Sequence, residues 1–130
     1  MIDGYDYSDC NTVLRESRQK AKKEHRCREC GRVIQIGELY LYEAMLEPDG
    51  WFCDHKTCRH CERVREWLVR TCGGFVYDMI REDLSEHVKE EYDIPVSIKM
   101  ASIGMARRWR RRDGSLWRLP SLKPMGHGAH

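Results

Sequence analysis

Apolar and polar positions along this chain change period twice, and each change marks an element. From Val33 to Tyr42, VIQIGELYLY, apolar residues alternate on both sides of Gly37. That pattern predicts two half-buried strands joined as a hairpin by a turn at Gln35–Glu38. Glu47-Pro48-Asp49-Gly50 is a second turn signal, and Trp51-Phe52 resumes a strand or packs over the hairpin. From Thr57 onward the period becomes helical. Thr57 is a good N-cap type, Val64, Trp67, Leu68 and Cys72 share one face, and Gly73-Gly74 stops the helix. Val76, Met79, Ile80, Leu84, His87, Val88 and Tyr92 then form a single stripe, which predicts a second helix over about 75–92. Its outer face, Asp78, Glu82, Asp83, Glu86, Glu90 and Glu91, is acidic, and Asp93-Ile94-Pro95 ends it.

The flanks carry less pattern. Residues 1–11 read as irregular, with Tyr5 and Tyr7 placed to pack back on the domain. In residues 12–24, TVLRESRQKAKKE, only Val13, Leu14 and Ala21 are apolar, and a short helix is expected. Residues 97–109 predict a third helix, Asp113-Gly114 the turn of a small hairpin, and SLKPMGHGAH a disordered tail. The expected organisation is an arm over 1–19, a zinc-binding domain over 20–95 and a basic extension over 96–130. No internal repeat is present.

Composition adds a constraint. With 130 residues, 41% hydrophobic and 34% charged, the chain can build one modest core, which a metal would help to staple. No apolar run approaches the ~20 residues that cross a bilayer, and MIDGYDYSDCNT is too acidic and polar for a signal peptide. The expectation is therefore a cytoplasmic protein with no membrane partner. In a reducing compartment, seven cysteines argue for metal ligation over disulfides.

Charge is segregated. The formal +2 conceals net +5 over residues 15–32, net −5 over 78–93 and net +5 over 105–118. Four thiolates and a divalent metal would bring the whole chain close to neutral.

The strongest chemical signal is Cys27-Arg-Glu-Cys30, then 27 residues, then Cys58-Arg-His-Cys61. Each pair presents two sulfurs to one side of a metal, and two pairs close the tetrahedral shell that Zn²⁺ prefers. The second pair sits on the first turn of a predicted helix, so both sulfurs share a face. The helix N-terminus and Lys56, Arg59 and Arg63 favour its thiolates, as Arg26, Arg28 and Arg32 favour those of the first pair. Gly31 is free to take the positive φ of a tight knuckle. Knuckle, hairpin and ligand-bearing helix follow in the order of a treble-clef zinc finger. Two alternatives stay open: the cysteines are buried apolar residues or an oxidised pair, or Cys53 or His55 replaces Cys58 in the shell. Cys72 falls on an apolar helix face and is expected in the core, Cys10 is expected as a free thiol, and Cys53 lies either beside the metal or simply on a strand.

These motifs together resemble a family of small zinc-binding proteins encoded by phages and prophages. The basic lead-in Lys20–His25, the knuckle Cys27–Gly31, Gly37–Tyr40, Lys56–Cys61 and the junction Gly74–Tyr77 carry the resemblance, which spans about residues 20–92. It implies the same four zinc ligands and a phage or prophage origin. The family has no settled biochemical activity, so the resemblance implies nothing about chemistry. The loop LEPDGWFCDH departs from the family pattern by adding Cys53 and His55.

Two other features bear on function. ARRWRRRDGSLWR places Trp109 and Trp117 among Arg107, Arg108, Arg110, Arg111, Arg112 and Arg118, the mixture of cations and ring faces that nucleic acid takes. The same block could instead dock on the acidic helix, and the acidic helix could face a basic host protein. Asp54-His55 and His60 echo the Asp-His near the end of a hairpin in HNH-type nucleases, whose histidine acts as general base. Hydrolysis of a phosphodiester would need further ligands on the following helix, however. ERVREWLVR offers only Glu62 and Glu66 there, and His87 belongs to the apolar stripe. The expectation is a small α+β, non-catalytic zinc module that binds nucleic acid, with a protein-interaction module as the alternative and an HNH-like nuclease behind both.

Overall fold

The computed structural model describes residues 12–90 and 93–122. The expectations for Tyr5, Tyr7, Cys10, Glu91, Tyr92 and most of the C-terminal tail lie outside the described residues. Among the described residues eight elements follow one another: β1 (Thr12–Lys20), β2 (His25–Arg26), β3 (Val33–Ile34), β4 (Leu39–Leu46), β5 (Phe52–Cys58), α1 (Arg59–Cys72), α2 (Ile80–Glu90) and α3 (Val96–Ala106). The mixture is α+β, as the periodicities imply. An antiparallel sheet in the order β1-β4-β5 sits beside a two-stranded ribbon of β2 and β3.

Residues 12–20 form a strand where a helix was expected. β1 runs antiparallel to β4 from Thr12↔Leu46 to Lys20↔Leu39, with a bulge between Val13 and Arg15. Almost every residue of β1 is exposed, so neither a helical nor an alternating apolar pattern is written into it. Its state is set by the backbone ladder offered by β4.

The hairpin also falls elsewhere. Gln35–Glu38 is indeed a turn, closed by the Glu38 N–H on the Gln35 carbonyl at 3.0 Å with Gly37 at φ 93°. The strands on its two sides do not pair with each other. β3 pairs with β2, and the turn is tied to the end of β1 by reciprocal bonds of 2.8 Å, Ala21 N–H to Glu38 and Gly37 N–H to Ala21. The true hairpin is β4–β5. It turns through Glu47–Gly50 and keeps register from Leu46↔Phe52 to Tyr40↔Cys58.

α1 starts one residue later than expected. Cys58 takes the N-cap position and Thr57 stays on β5, while Gly73 closes the C-terminus in the left-handed region at φ 87°. Its inner face buries Cys61, Val64, Trp67 and Leu68 in the core, and the helix packs on α2, β4 and β5. Each large apolar side chain so buried stabilises the fold by about 1.5–3 kcal/mol. α2 begins at Ile80, later than the apolar stripe suggests, because Asp78 adopts φ 69° and breaks the helix before it.

α3 packs on α2 and sends Ile98, Ala101 and Met105 into the same core. Arg108 and Trp109 then both take left-handed φ, 55° and 60°. This reverses the chain and drives the Trp109 ring under α3, where it is wholly buried. Only glycine fits at Gly104, since a Cβ there would stand 2.5 Å from the Trp109 ring. The segment after α2 therefore contributes Ile98, Ala101, Met105 and Trp109 to the same core, and β1 runs across residues 19 and 20.

Candidate metal centre

β5 delivers Cys58 at its last residue, and α1 delivers Cys61 three residues later. The knuckle between β2 and β3 delivers Cys27 and Cys30, with Gly31 at φ 81° and its N–H on the Cys27 carbonyl at 3.0 Å. All four cysteines are buried, and their sulfurs lie within 4.8 Å of one another. Cys30 and Cys58 are 3.9 Å apart, far beyond a disulfide bond. Backbone N–H groups point at the sulfurs: Glu29 and Cys58 donate to Cys27, and Arg32 donates to Cys30, each at 3.4 Å. The Trp109 indole N–H donates to Cys61 Sγ at 3.3 Å. This is the donor-rich environment of metal thiolates. The remaining described cysteines stay apart: Cys53 is half-buried on β5 and Cys72 is exposed, with its sulfur 2.8 Å from His87 Nε2. Cys72 is thus not in the core, and neither Cys53 nor His55 joins the four sulfurs.

The protonation pattern fits a metal shell. Burial opposes ionisation of Cys27, but hydrogen bonds from Cys30, Cys58 and Cys61 hold it well below the usual thiol range. The Cys27 bond pushes Cys30 up, and burial pushes Cys61 up. Four buried thiols packed this closely ionise together only with a cation among them.

On the other side of the knuckle lies a polar network that the cysteine spacing does not announce. Arg65 of α1 donates to Glu43 Oε1 at 2.9 Å and to Thr57 Oγ1 at 3.1 Å, and its guanidinium lies 4.4 Å from the centre of the Phe75 ring. Tyr77 donates its hydroxyl to Glu43 Oε2 at 2.8 Å. His55 sits between Thr57 Oγ1 and Asp78 Oδ1, at 3.1 Å from each. Glu29 accepts the backbone N–H of Asp78 at 2.9 Å and of Ile80 at 3.4 Å. Burial lowers the His55 pKa and raises that of Glu29 to about 7. Two signals in the sequence pointed here: Glu43 occupies the same inward register of β4 as Leu41 and Met45, and Arg65 lies one turn after Cys61 on the buried face of α1.

The nuclease-like residues disperse. Asp54 is exposed and pairs with Lys56, His60 lies 2.6 Å from the Trp117 carbonyl under the Trp109 ring, and Glu62 pairs with Arg18. His87 packs edge-on against Trp67 at 5.4 Å.

The arginine block divides. Arg108 and Arg110 meet Arg26 and Arg32 around Gly31, lining a groove of about 340 Å³. Arg111 and Arg118 line a second groove, of about 210 Å³, with Trp117. Arg107 and Arg112 are exposed and line neither. Trp109 offers no stacking face, because burial against Cys61, His60 and Trp117 consumes it. A further groove is bounded by Lys20, Lys22, Lys23 and His25. No described helix is long and apolar enough to cross a membrane. Set beside known proteins, the chain matches no family model, no curated sequence and no solved structure.

Proposed function

We propose that this chain is a non-catalytic, treble-clef-type module, of the phage and prophage kind its motifs resemble, that holds one Zn²⁺ through Cys27, Cys30, Cys58 and Cys61 and binds nucleic acid on the basic face around its knuckle. Four soft thiolates in a closed shell suit zinc and leave it no open position for chemistry. The observation that carries the binding reading is the meeting of Arg26 with Arg108 and Arg110 across Gly31. Arg26 and Arg108 lie 82 positions apart in the chain and have no reason of local structure to converge, and phosphate contacts depend on such clustering. Fluorescence anisotropy of the zinc-loaded chain with a labelled oligonucleotide tests it. Affinity is expected to fall steeply with salt, and replacing Arg26, Arg108 and Arg110 by Ala is expected to weaken binding at least about tenfold and to flatten the salt slope by about 2–3. Equal binding by that triple variant would sink the reading.

A protein-docking function is the second reading, favoured by Trp51 and Phe52, which stand 70% and 75% exposed at the β4–β5 turn. A host protein held this way would be retained by the triple arginine variant and lost on replacing Trp51 and Phe52 by Ser.

A further inference from the structure

We propose that Glu29, His55 and Asp78 form a second metal site, which takes one divalent cation of the Mn²⁺ class through Glu29 Oε2, His55 Nε2 and Asp78 Oδ1. The three donors come from three separate segments, the knuckle, β5 and the loop before α2, and lie within 4.8 Å of one another. His55 Nε2 is 3.1 Å from Asp78 Oδ1 and 3.6 Å from Glu29 Oε2, spacings that neighbouring ligands of one cation adopt.

Each donor is held by something other than the cation. His55 Nδ1 rests on Thr57 Oγ1, which is itself fixed by Arg65. Anchoring of the far ring nitrogen is how metal-bound imidazoles are oriented. The Glu29 carboxylate is pinned by two backbone N–H groups at the start of α2. Asp78 keeps its second oxygen on Arg28 at 3.1 Å.

Charge favours a cation here. The carboxylates of Glu29, Glu43 and Asp78 surround one imidazole whose pKa burial lowers. Arg65 is committed to Glu43, standing 3.9 Å from Glu29, and Arg28 lies on the solvent side of Asp78. Among the described residues, Glu29 receives no hydrogen bond from a cationic side chain. Its carboxylate and that of Asp78 converge on His55 Nε2, while the Arg65 guanidinium stands 3.9 Å from Glu29 Oε2 and that of Arg28 pairs with Asp78 Oδ2.

The donor set separates this site from the four cysteines. One imidazole and two carboxylates suit a hard or borderline ion, whereas four thiolates select a soft one. Three protein ligands leave positions for water. The Asp78 side chain is 47% exposed, so an ion can enter from solvent. The site does not depend on the nucleic-acid reading.

The test is titration of the full zinc-loaded chain with Mn²⁺, followed by electron paramagnetic resonance of the free ion, with zinc counted by mass spectrometry. The expected result is saturable binding of one Mn²⁺ per chain with the zinc retained. Asp78→Asn and His55→Gln are each expected to weaken Mn²⁺ binding at least about tenfold, and Glu66→Gln to leave it unchanged. Asn tolerates the left-handed backbone of position 78, so Asp78→Asn reads the ligand without disturbing the loop. Absence of saturable Mn²⁺ binding by the parent chain, or equal binding by Asp78→Asn, overturns the proposal and leaves a hydrogen-bonded network alone.

Discussion

The knuckle from Cys27 to Arg32 stands between two buried polar centres that solve the same problem differently. On one side four cysteines face one another with backbone N–H groups and an indole as their donors. On the other, Glu29, Glu43, His55, Thr57 and Asp78 gather around Arg65. The cysteine centre contains no counter-charge of its own among its ligands and leaves that role to a metal. The carboxylate centre brings a guanidinium from α1 and stacks it on Phe75 and Tyr77. The difference teaches where each centre is vulnerable. One depends on an external ion, and the other on an internal pair whose halves cannot be removed singly.

Breaking the cysteine centre should have the largest effect. Cys61→Ser, or a strong chelator, removes metal-binding free energy on the order of 10 kcal/mol. The expected outcome is loss of the cooperative thermal transition in circular dichroism together with loss of bound metal. Next comes Glu43→Ala, which leaves Arg65 charged and buried. A loss of about 3–5 kcal/mol is expected in urea denaturation, with most of it recovered when Arg65→Met is combined with Glu43→Leu. Recovery would show that the pair is self-contained, while a larger loss in the double variant would contradict the comparison.

Gly104→Ala probes how the C-terminal segment supports the cysteines. The added methyl would stand 2.5 Å from the Trp109 ring and must push the indole away from Cys61. Overpacking of this kind costs about 1–3 kcal/mol, and the lost N–H···S bond should weaken metal affinity about tenfold in a chelator competition. The smallest effect concerns pH. Glu29 sits at about 7, above the carboxylate value of 4.5, chiefly through burial, so the folded chain binds its proton more tightly than the unfolded chain does. Its contribution to stability is full below about pH 4.5 and is lost as pH rises through about 7. Glu29→Gln, compared with the parent chain without added Mn²⁺, should flatten the stability profile across that window; an unchanged slope would place the Glu29 carboxyl in the ordinary range.

Much of the cysteine centre was legible because its information is local. Two residues between paired cysteines, a glycine after the first pair and a helix start at the second are enough to orient the sulfurs. The α1 stop at Gly73 and the turn at Glu47–Gly50 are equally local, each needing one backbone conformation that glycine supplies. The hairpin was misplaced because alternation around Gly37 describes two strands without saying which partners they choose. β1 was misread for a related reason. Its side chains are exposed on both faces, so only the β4 ladder makes it a strand.

By itself, then, the sequence determined the four sulfurs, the α+β mixture and the helix that begins after Cys58 and carries Cys61 into place. The tertiary structure alone decided that Trp109, set among arginines, turns inward to Cys61, and that Arg26 meets Arg108 and Arg110. It also decided that Glu29, His55 and Asp78 converge. The physical reason is range. A CxxC turn is specified by neighbours within a few bonds, whereas a left-handed reversal after α3 or a charge pair between β4 and α1 exists only once distant segments have packed.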